Sequence, residues 1–418
     1  MTDFIFKIYG AVWCLALPLL KKKERLADGW SQRIGSDLPR GSYDIWIQSA
    51  SGGESLLTAM VLQKLATAFS VDKKLRVIVS SMTRQGVDIL IKCVDSLNTS
   101  QLEVDVIFFP FDSPKIMKAA YETIKPRLIV VMETELWPSF LVEAKKREVP
   151  FLLVNGRMSE KSYRLYKYLK GFFSKYGPDH VWAISQDDCQ RFTDLCGKGR
   201  ADLMNNIKFD RMVPQTTEIK SELRQLFTPD KKIVLFGSIR KEEETAILEV
   251  IKELRIKEQE MQIALFPKHV ERADNWLLLL EEAGINAAKR STLNNTTVVD
   301  VLVWDIFGEL ASGYGIADAI FVGGSLVDLG GQNFLEPLAH GVRPIIGPYW
   351  SDFFWVGREI VDAGLVIEVN NQDELSLALV KELNRIQDKA RVKVEVEKFL
   401  KLKQGGSQLV CREIVKRI

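Results

Sequence analysis

Short runs of consecutive Val, Ile and Leu alternate along this chain with longer amphipathic stretches, and that alternation predicts the fold. YDIWIQSA (43–50) leads into a stretch with Leu57, Val61, Leu65 and Phe69 at helical spacing. LRVIVSSMT (75–83) precedes RQGVDILIKCVDSL, RLIVVMET (127–134) precedes SFLVEAKKRE, and PFLLVNGR (150–157) precedes another helical stretch. Runs that are apolar at consecutive positions are strands covered on both faces, and a helix after each makes the sheet parallel. A polar patch at 210–232 interrupts the pattern, which restarts with KKIVLFGSIRKEEETAILEVIKEL and continues through MQIALFPKH, TVVDVLVWD, ADAIFVGGS, RPIIGPY and GLVIEV. The chain reads as two βα halves joined by a linker, without an internal repeat of about 20–50 residues. Open parallel sheets bind ligands beyond the carboxyl ends of their strands, so two such domains facing a cleft direct attention to strand-end residues.

The first 25 residues depart from this pattern. FIFKIYGAVWCLALPLL (4–20) is apolar except for Lys7 and is followed at once by KKKER. Its uncharged core is about 20 Å long as a helix, short of the roughly 30 Å hydrocarbon core of a bilayer. The basic cluster follows the apolar run, whereas a cleaved signal peptide carries its charges first. The reading is an uncleaved helix lying in a membrane face, with Lys21, Lys22, Lys23 and Arg25 among anionic headgroups. A buried core helix is the alternative.

Composition narrows the partners. The 418 residues are 46% hydrophobic and 27% charged, a globular balance on a chain long enough for two domains. With 57 basic and 55 acidic residues, the net charge of +2 gives no reason to expect nucleic acid. The five cysteines include no C-x-x-C pair, which fits a reducing compartment, and His180, His269 and His340 lack metal-ligand spacing.

Four strand ends carry unusual residues. SASGGES (49–55) places two glycines and Glu54 at a strand-to-helix turn. The turn lacks the Walker lysine, yet it still admits a phosphate cradle, a base, or a glutamate that simply complements the helix dipole. VVMETELWPSF (130–140) ends a strand in Glu133 and Glu135, two carboxylates that repel unless something needs them. NNIKFD (205–210) offers Lys208, either aimed into the cleft or a surface lysine. FVGGSLVDLGGQNFLEPLAHG (321–341) has two glycine pairs, then Asn333 as N-cap with Glu336 three residues on, a spacing that suits a phosphate at a helix start. Pro267 and Lys268 end another strand, and Phe307, Gly308 and Glu309 follow a third, so the nucleotide is expected in this half. No strand end carries a D-x-D pair, which favours metal-independent chemistry.

Together these segments resemble the 3-deoxy-D-manno-octulosonic acid (Kdo) transferases, glycosyltransferase family 30. The matches are S-A-S-G-G-E, M-E-T-E-L-W-P, V-N-G-R-M-S-E-K-S, N-I-K-F-D, F-P-K-H-V-E-R, F-G-E-L and V-G-G-S-L-V-x-x-G-G-Q-N-x-L-E-P, in the family's order from about residue 45 to about 350. The resemblance implies a GT-B fold, two Rossmann-like domains facing a cleft with an N-terminal membrane-associated helix. The expected boundaries are 1–25 for the membrane segment, 26–210 for the acceptor domain, 211–230 for the linker and 231–418 for the CMP-sugar domain with C-terminal helices.

It further implies an inverting transfer of Kdo from CMP-Kdo to a lipid A precursor, lipid IVA, in lipopolysaccharide core synthesis. The location would be the cytoplasmic face of the bacterial inner membrane, with residues 4–25 on the surface. CMP-Kdo is a co-substrate and no cofactor is expected. By the resemblance Glu54 is the proton acceptor, Glu133 and Lys208 stabilise the transition state, and Pro267, Lys268, Phe307, Gly308, Glu309, Asn333, Phe334, Leu335 and Glu336 contact CMP. Arg157 and Lys161 are offered to acceptor phosphate, to the donor carboxylate, or to solvent.

Several positions depart from the family. Many members read S-V-G-E where Gly52-Gly53-Glu54 stands, S-T-H-x-G-E at Ser238-Ile239-Arg240-Lys241-Glu242, G-G-H-N at Gly330-Gly331-Gln332-Asn333, and G-N at Asn205-Asn206. Lys268 stands where the family often has Arg, a change that loses a bidentate fork. Alternatives are therefore a GT-B transferase or epimerase using another nucleotide sugar, or a non-catalytic membrane-attached scaffold.

Overall fold

A computed structural model of the protein describes residues 2–68, 74–97, 101–212, 221–292, 298–386 and 388–418. Two compact units result, Met1–Arg211 with Lys403–Ile418, and Met212–Leu402. Phe69, residues 213–220 of the expected linker and the first residue of TVVDVLVWD lie outside the described residues.

The first unit is built on a seven-stranded parallel sheet: β1 (Ile45–Ser49), β2 (Leu75–Ser81), β3 (Leu102–Phe108), β4 (Ile129–Met132), β5 (Phe151–Gly156), β6 (His180–Ala183) and β7 (Ala201–Leu203), in the order β3-β2-β1-β4-β5-β6-β7. Its helices are α1 (Thr2–Leu20), α2 (Trp30–Arg33), α3 (Gly52–Ala68), α4 (Arg84–Ser96), α5 (Pro114–Ile124), α6 (Pro138–Lys146), α7 (Glu160–Lys167), α8 (Lys170–Tyr176) and α9 (Gln186–Cys196).

Alternate residues of each strand serve opposite faces, as the pleat requires. Ile45 and Ile47 of β1 pack with Leu57, Val61 and Leu65 of α3, while Trp46 between them joins Tyr121 of α5 and Phe140 of α6. Both faces are covered, so the strands read as unbroken apolar runs. The Trp46 indole, fully buried, donates to Ser80 Oγ at 2.8 Å. The chain order reverses between β1 and β4, the point at which such sheets leave a crevice beyond the strand ends.

The second unit repeats the plan. Strands β8 (Lys232–Ile239), β9 (Met261–Pro267), β10 (Ala287–Lys289), β11 (Val301–Val303), β12 (Ala319–Val322), β13 (Pro344–Ile346) and β14 (Ile367–Glu368) lie parallel in the order β10-β11-β9-β8-β12-β13-β14. They alternate with α10 (Ser221–Arg224), α11 (Glu244–Lys257), α12 (Ala273–Glu282), α13 (Leu310–Ile316), α14 (Leu335–Ala339), α15 (Glu359–Asp362), α16 (Gln372–Leu383) and α17 (Lys389–Lys403). Here the reversal lies between β8 and β12.

The C-terminal helices do not all stay with the second unit, as the expected 231–418 boundary had them. The last helix, α18 (Gly406–Val415), packs Val410, Cys411 and Ile414 against the α3 layer of the first unit. Asp210 fixes its start, accepting from the Gly405 and Ser407 amides and the Ser407 hydroxyl, each at 2.6 Å. A side chain at Gly406 would sit 2.3 Å from the Asn205 carbonyl, so this approach requires glycine. The acid of NIKFD is thus a helix cap for a segment about 200 residues downstream, a pairing that no local pattern announces.

The N-terminal helix is neither buried nor free. Tyr9 donates to Asp112 at 2.9 Å and Trp13 packs on Phe111 with ring centroids 5.7 Å apart. Its other face exposes Ile8, Val12, Leu15 and Leu19, spaced as one helical stripe. Among the described residues no helix is long and apolar enough to cross a membrane.

Candidate active site

Glu54 occupies the first turn of α3, directly after β1. Its Oε2 accepts the Ala50 amide at 2.6 Å and its Oε1 the Ser51 hydroxyl at 3.1 Å. Ser51 Oγ in turn accepts the Glu54 amide at 3.3 Å, so the side chain closes a capping arrangement over the helix start. Beneath it a buried serine cluster ties the turn to the sheet: Ser49 to Ser55 at 3.0 Å and Ser55 to Ser81 at 3.2 Å. Burial pushes the Glu54 carboxyl up to about 7; the charges of Glu135 and Glu133 add to the rise, and the Ala50 and Ser51 donors oppose it. The dipole-complementing role and the base role are therefore compatible, because a carboxylate with two donors retains lone pairs for a third.

Glu133 stands one residue beyond β4 with φ 57°, a left-handed conformation that costs a non-glycine residue about 1 kcal/mol or more. Its amide donates to the Val154 carbonyl at 2.9 Å, extending the sheet by one bond. The carboxylate is buried and meets two cations, Arg157 Nε at 2.8 Å and Lys208 Nζ at 3.6 Å. Lys208 is thus turned to the first unit's strand ends rather than standing as an isolated surface lysine. Glu135, two residues on, accepts from the Trp137 indole; burial raises its carboxyl, with Glu133 adding to the rise and the indole opposing it.

Asn155 explains how Lys208 is held. It is the penultimate residue of β5, with φ 55°, and its Oδ1 accepts the Ile207 amide at 2.8 Å, anchoring the NIKFD turn beside the β4 loop. The sequence reading passed over this residue; an Asn-Gly pair at the end of an apolar strand was the available signal. The first unit therefore brings Glu133, Lys208 and Arg157 together, with Glu54 within electrostatic reach. Lys161 lies exposed in the first turn of α7.

In the second unit the glycine-rich segment is organised differently from the expectation. The buried Glu243 carboxylate accepts the Gly324 amide at 2.6 Å and the Ser325 and Leu326 amides at 3.0 Å. The turn after β12 thus encloses an internal carboxylate beside the β8–β12 reversal, while the Gly323 amide continues the sheet to the Gly237 carbonyl at 2.8 Å. Gly330 and Gly331 have φ 84° and 82°, and a side chain on Gly331 would lie 3.0 Å from the Trp350 backbone.

The capping expectation also changes. The helix α14 begins at Leu335 and is five residues long, with Phe334 as its N-cap. Asn333 Oδ1 accepts the Leu335 amide at 3.2 Å, and its Nδ2 donates to Glu336 at 2.8 Å, so the residue braces the turn without being its cap. So short a helix adds little macrodipole.

Lys268 is a cation beside this segment. It follows Pro267 at the end of β9 and donates to Gln332 at 2.7 Å, joining two of the expected donor loops. Phe334 is fully buried against Trp350 and Phe353, so it offers a ligand its backbone rather than its ring. Phe307 is 75% exposed and Gly308 has φ 84°, while Glu309 is engaged by the Trp304 indole at 2.8 Å and Arg290 at 3.3 Å. Leu335 and Glu336 open α14. Among the described residues no group of three or more His, Cys, Asp or Glu is placed to hold a metal ion.

The chain is similar to several known proteins. Residues 28–211 match the family model described as 3-deoxy-D-manno-octulosonic-acid transferase (kdotransferase). A 3-deoxy-D-manno-octulosonic acid transferase of Rickettsia bellii is 31% identical over 84% of this chain and 81% of its own. A bifunctional glycosyltransferase/methyltransferase of Fusobacterium nucleatum is 29% identical over 98% of this chain, which spans 63% of that relative's length. Among solved structures, a glycosyltransferase from Rickettsia africae superposes with a TM-score of 0.54 at 15% identity, covering 90% of this chain and 99% of its own, a likeness of fold.

Proposed function

The chain belongs to the 3-deoxy-D-manno-octulosonic acid transferase family, and on that premise we propose that it transfers Kdo, with inversion and without a metal ion, from CMP-Kdo to a hydroxyl of a lipid A precursor, lipid IVA. The observation that carries the reading is the pairing, at the carboxyl ends of β1 and β4, of a carboxyl pushed up to about 7 with a buried carboxylate held by two cations.

The acceptor oxygen forms a bond to the anomeric carbon from the face opposite the phosphate. The bond between that carbon and the phosphate oxygen breaks, and CMP leaves with the electron pair. The hydroxyl proton passes to Glu54, a step typically worth about 10²–10⁴-fold. Its raised basicity suits it to take a proton from a hydroxyl more readily than an ordinary carboxylate would. Positive charge grows at the anomeric carbon, where Glu133 stabilises it, and negative charge grows on the phosphate, where Lys208 does so.

On the donor side Lys268 pairs with the phosphate, with Gln332 fixing its direction. Glu336 accepts from the ribose hydroxyls, and Asn333 keeps it in place. Pro267, Phe307, Gly308, Glu309, Phe334 and Leu335 line the CMP moiety.

The α1 stripe of Ile8, Val12, Leu15 and Leu19, continued by Lys21, Lys22, Lys23 and Arg25, supports seating on an anionic lipid surface, the cytoplasmic face of a bacterial inner membrane. The pH–rate profile tests the base: kcat should rise with pH through about 7 and level above it as Glu54 loses its proton. A profile flat across that range assigns the proton to another group.

A further inference from the structure

Glu133 and Glu135 ride on a five-residue loop between β4 and α6, and the far end of that loop is held by a residue outside the proposed machinery. Asp112, buried ahead of α5, accepts the Ser139 amide at 2.9 Å on Oδ2 and the Phe140 amide at 2.8 Å on Oδ1. Its carbonyl takes the Ser139 hydroxyl at 2.7 Å. These amides belong to the first turn of α6, where a helix has donors without intrahelical partners, and Pro138 before them has none to offer. One more donor completes the carboxylate: the Tyr9 hydroxyl of α1, at 2.9 Å on Oδ2. Burial pushes the Asp112 carboxyl up to about 7, and the Ser139, Phe140 and Tyr9 donors draw it back toward the ionised form.

The two faces of α1 thus have separate duties. Tyr9 and Trp13 face Asp112 and Phe111, while Ile8, Val12, Leu15 and Leu19 remain outward. We propose that Asp112 is a positioning residue for the Glu133–Trp137 loop, and that its bond to Tyr9 makes the loop's position depend on how α1 is seated. The catalytic consequence rests on the assignment of Glu133 made above; the mechanical coupling does not.

Tyr9→Phe tests this with the loss of a single oxygen. Hydrogen–deuterium exchange of the whole chain should quicken by about 3–10-fold in residues 133–140, the range that loss of one typical intramolecular hydrogen bond produces, with β2 unchanged as an internal control. Turnover should show kcat reduced by about the same factor with the KM for CMP-Kdo unchanged, and binding to vesicles of phosphatidylcholine with phosphatidylglycerol should persist. Asp112→Asn, whose amide would face a donor, should exceed both effects; if it does not fold, Tyr9→Phe alone decides. Unchanged exchange at 133–140, or a rise spread evenly over the first unit, overturns the coupling. Quickened exchange with no turnover even in the unaltered protein upholds the coupling and removes the catalytic assignment instead.

Discussion

Replacing Glu54 by Gln should abolish most transfer and at the same time stabilise the fold. The carboxyl sits at about 7 against an ordinary 4.5, burial being the largest cause and the Glu135 and Glu133 charges adding to it. A group whose folded value lies above its unfolded one binds its proton more tightly in the folded state, so it costs stability as pH rises from about 4.5 to about 7. One unit corresponds to about 1.4 kcal/mol, which sets a ceiling of about 3 kcal/mol, and partial solvation reduces the expected gain to about 1–2 kcal/mol.

Gln keeps the local bonds, since its oxygen accepts the Ala50 amide and its NH₂ donates to Ser51, so little offsets that gain. For a domain of this size the melting temperature should rise by about 2–6 °C near pH 8, and by nothing near pH 4. Scanning calorimetry across pH, alongside CMP release, reads both effects. Activity should fall by about 10²–10⁴-fold while CMP binding persists. A melting temperature that is unchanged or lower near pH 8, or a gain independent of pH, would refute the electrostatic account of this residue.

Lys208→Met should reduce kcat by about 10²–10³-fold, as loss of one preorganised charge partner does, with CMP affinity held; an unchanged kcat removes it from the transition state. Lys268→Ala should raise the KM for CMP-Kdo by about 10-fold or more with kcat nearly preserved, and Gln332→Ala should do the same more weakly, because it only directs the lysine. Equal effects of the two on kcat alone would contradict a phosphate contact. Leu15→Glu with Leu19→Glu should cut binding to anionic vesicles by about 10-fold or more without lowering the melting temperature, since both side chains point away from the protein. Retained binding would locate the lipid contact elsewhere.

The strand-helix alternation was legible because both faces of each central strand are covered, and such strands carry apolar residues at every position. The strands without that signature were not read: the edge strands β3, with Glu103 and Asp105 in its middle, β7, three residues long, and β10, Ala-Ala-Lys, and also the inner strand β6, four residues opening on His180 with alternate positions only partly buried. Edge positions bury one face or neither, so composition there follows solvent. The return of α18 to the first unit was equally silent, because the bonds that fix it join Asp210 to residues far along the chain.

In the site, Glu54, Glu133 and Lys208 stood out as residue types at strand ends, whereas their supports did not. Asn155 acts through a left-handed turn and a single bond to the Ile207 amide, Glu243 through three amides beyond β12, and Asp112 through the start of α6. Each is an ordinary polar residue until the topology places its partner. The turn after β12 shows the converse, a motif that suggests an external phosphate and instead encloses the protein's own carboxylate.

The central claim is the transfer itself. Purified protein, CMP-Kdo and a tetra-acylated lipid A precursor, incubated with phospholipid vesicles in the presence of a chelator, should yield an acceptor heavier by whole Kdo residues, with one CMP released per sugar added. Mass spectrometry of the lipid together with quantitation of CMP reads both. CMP release with no change in acceptor mass, or no turnover unless a metal ion is added, would contradict the account.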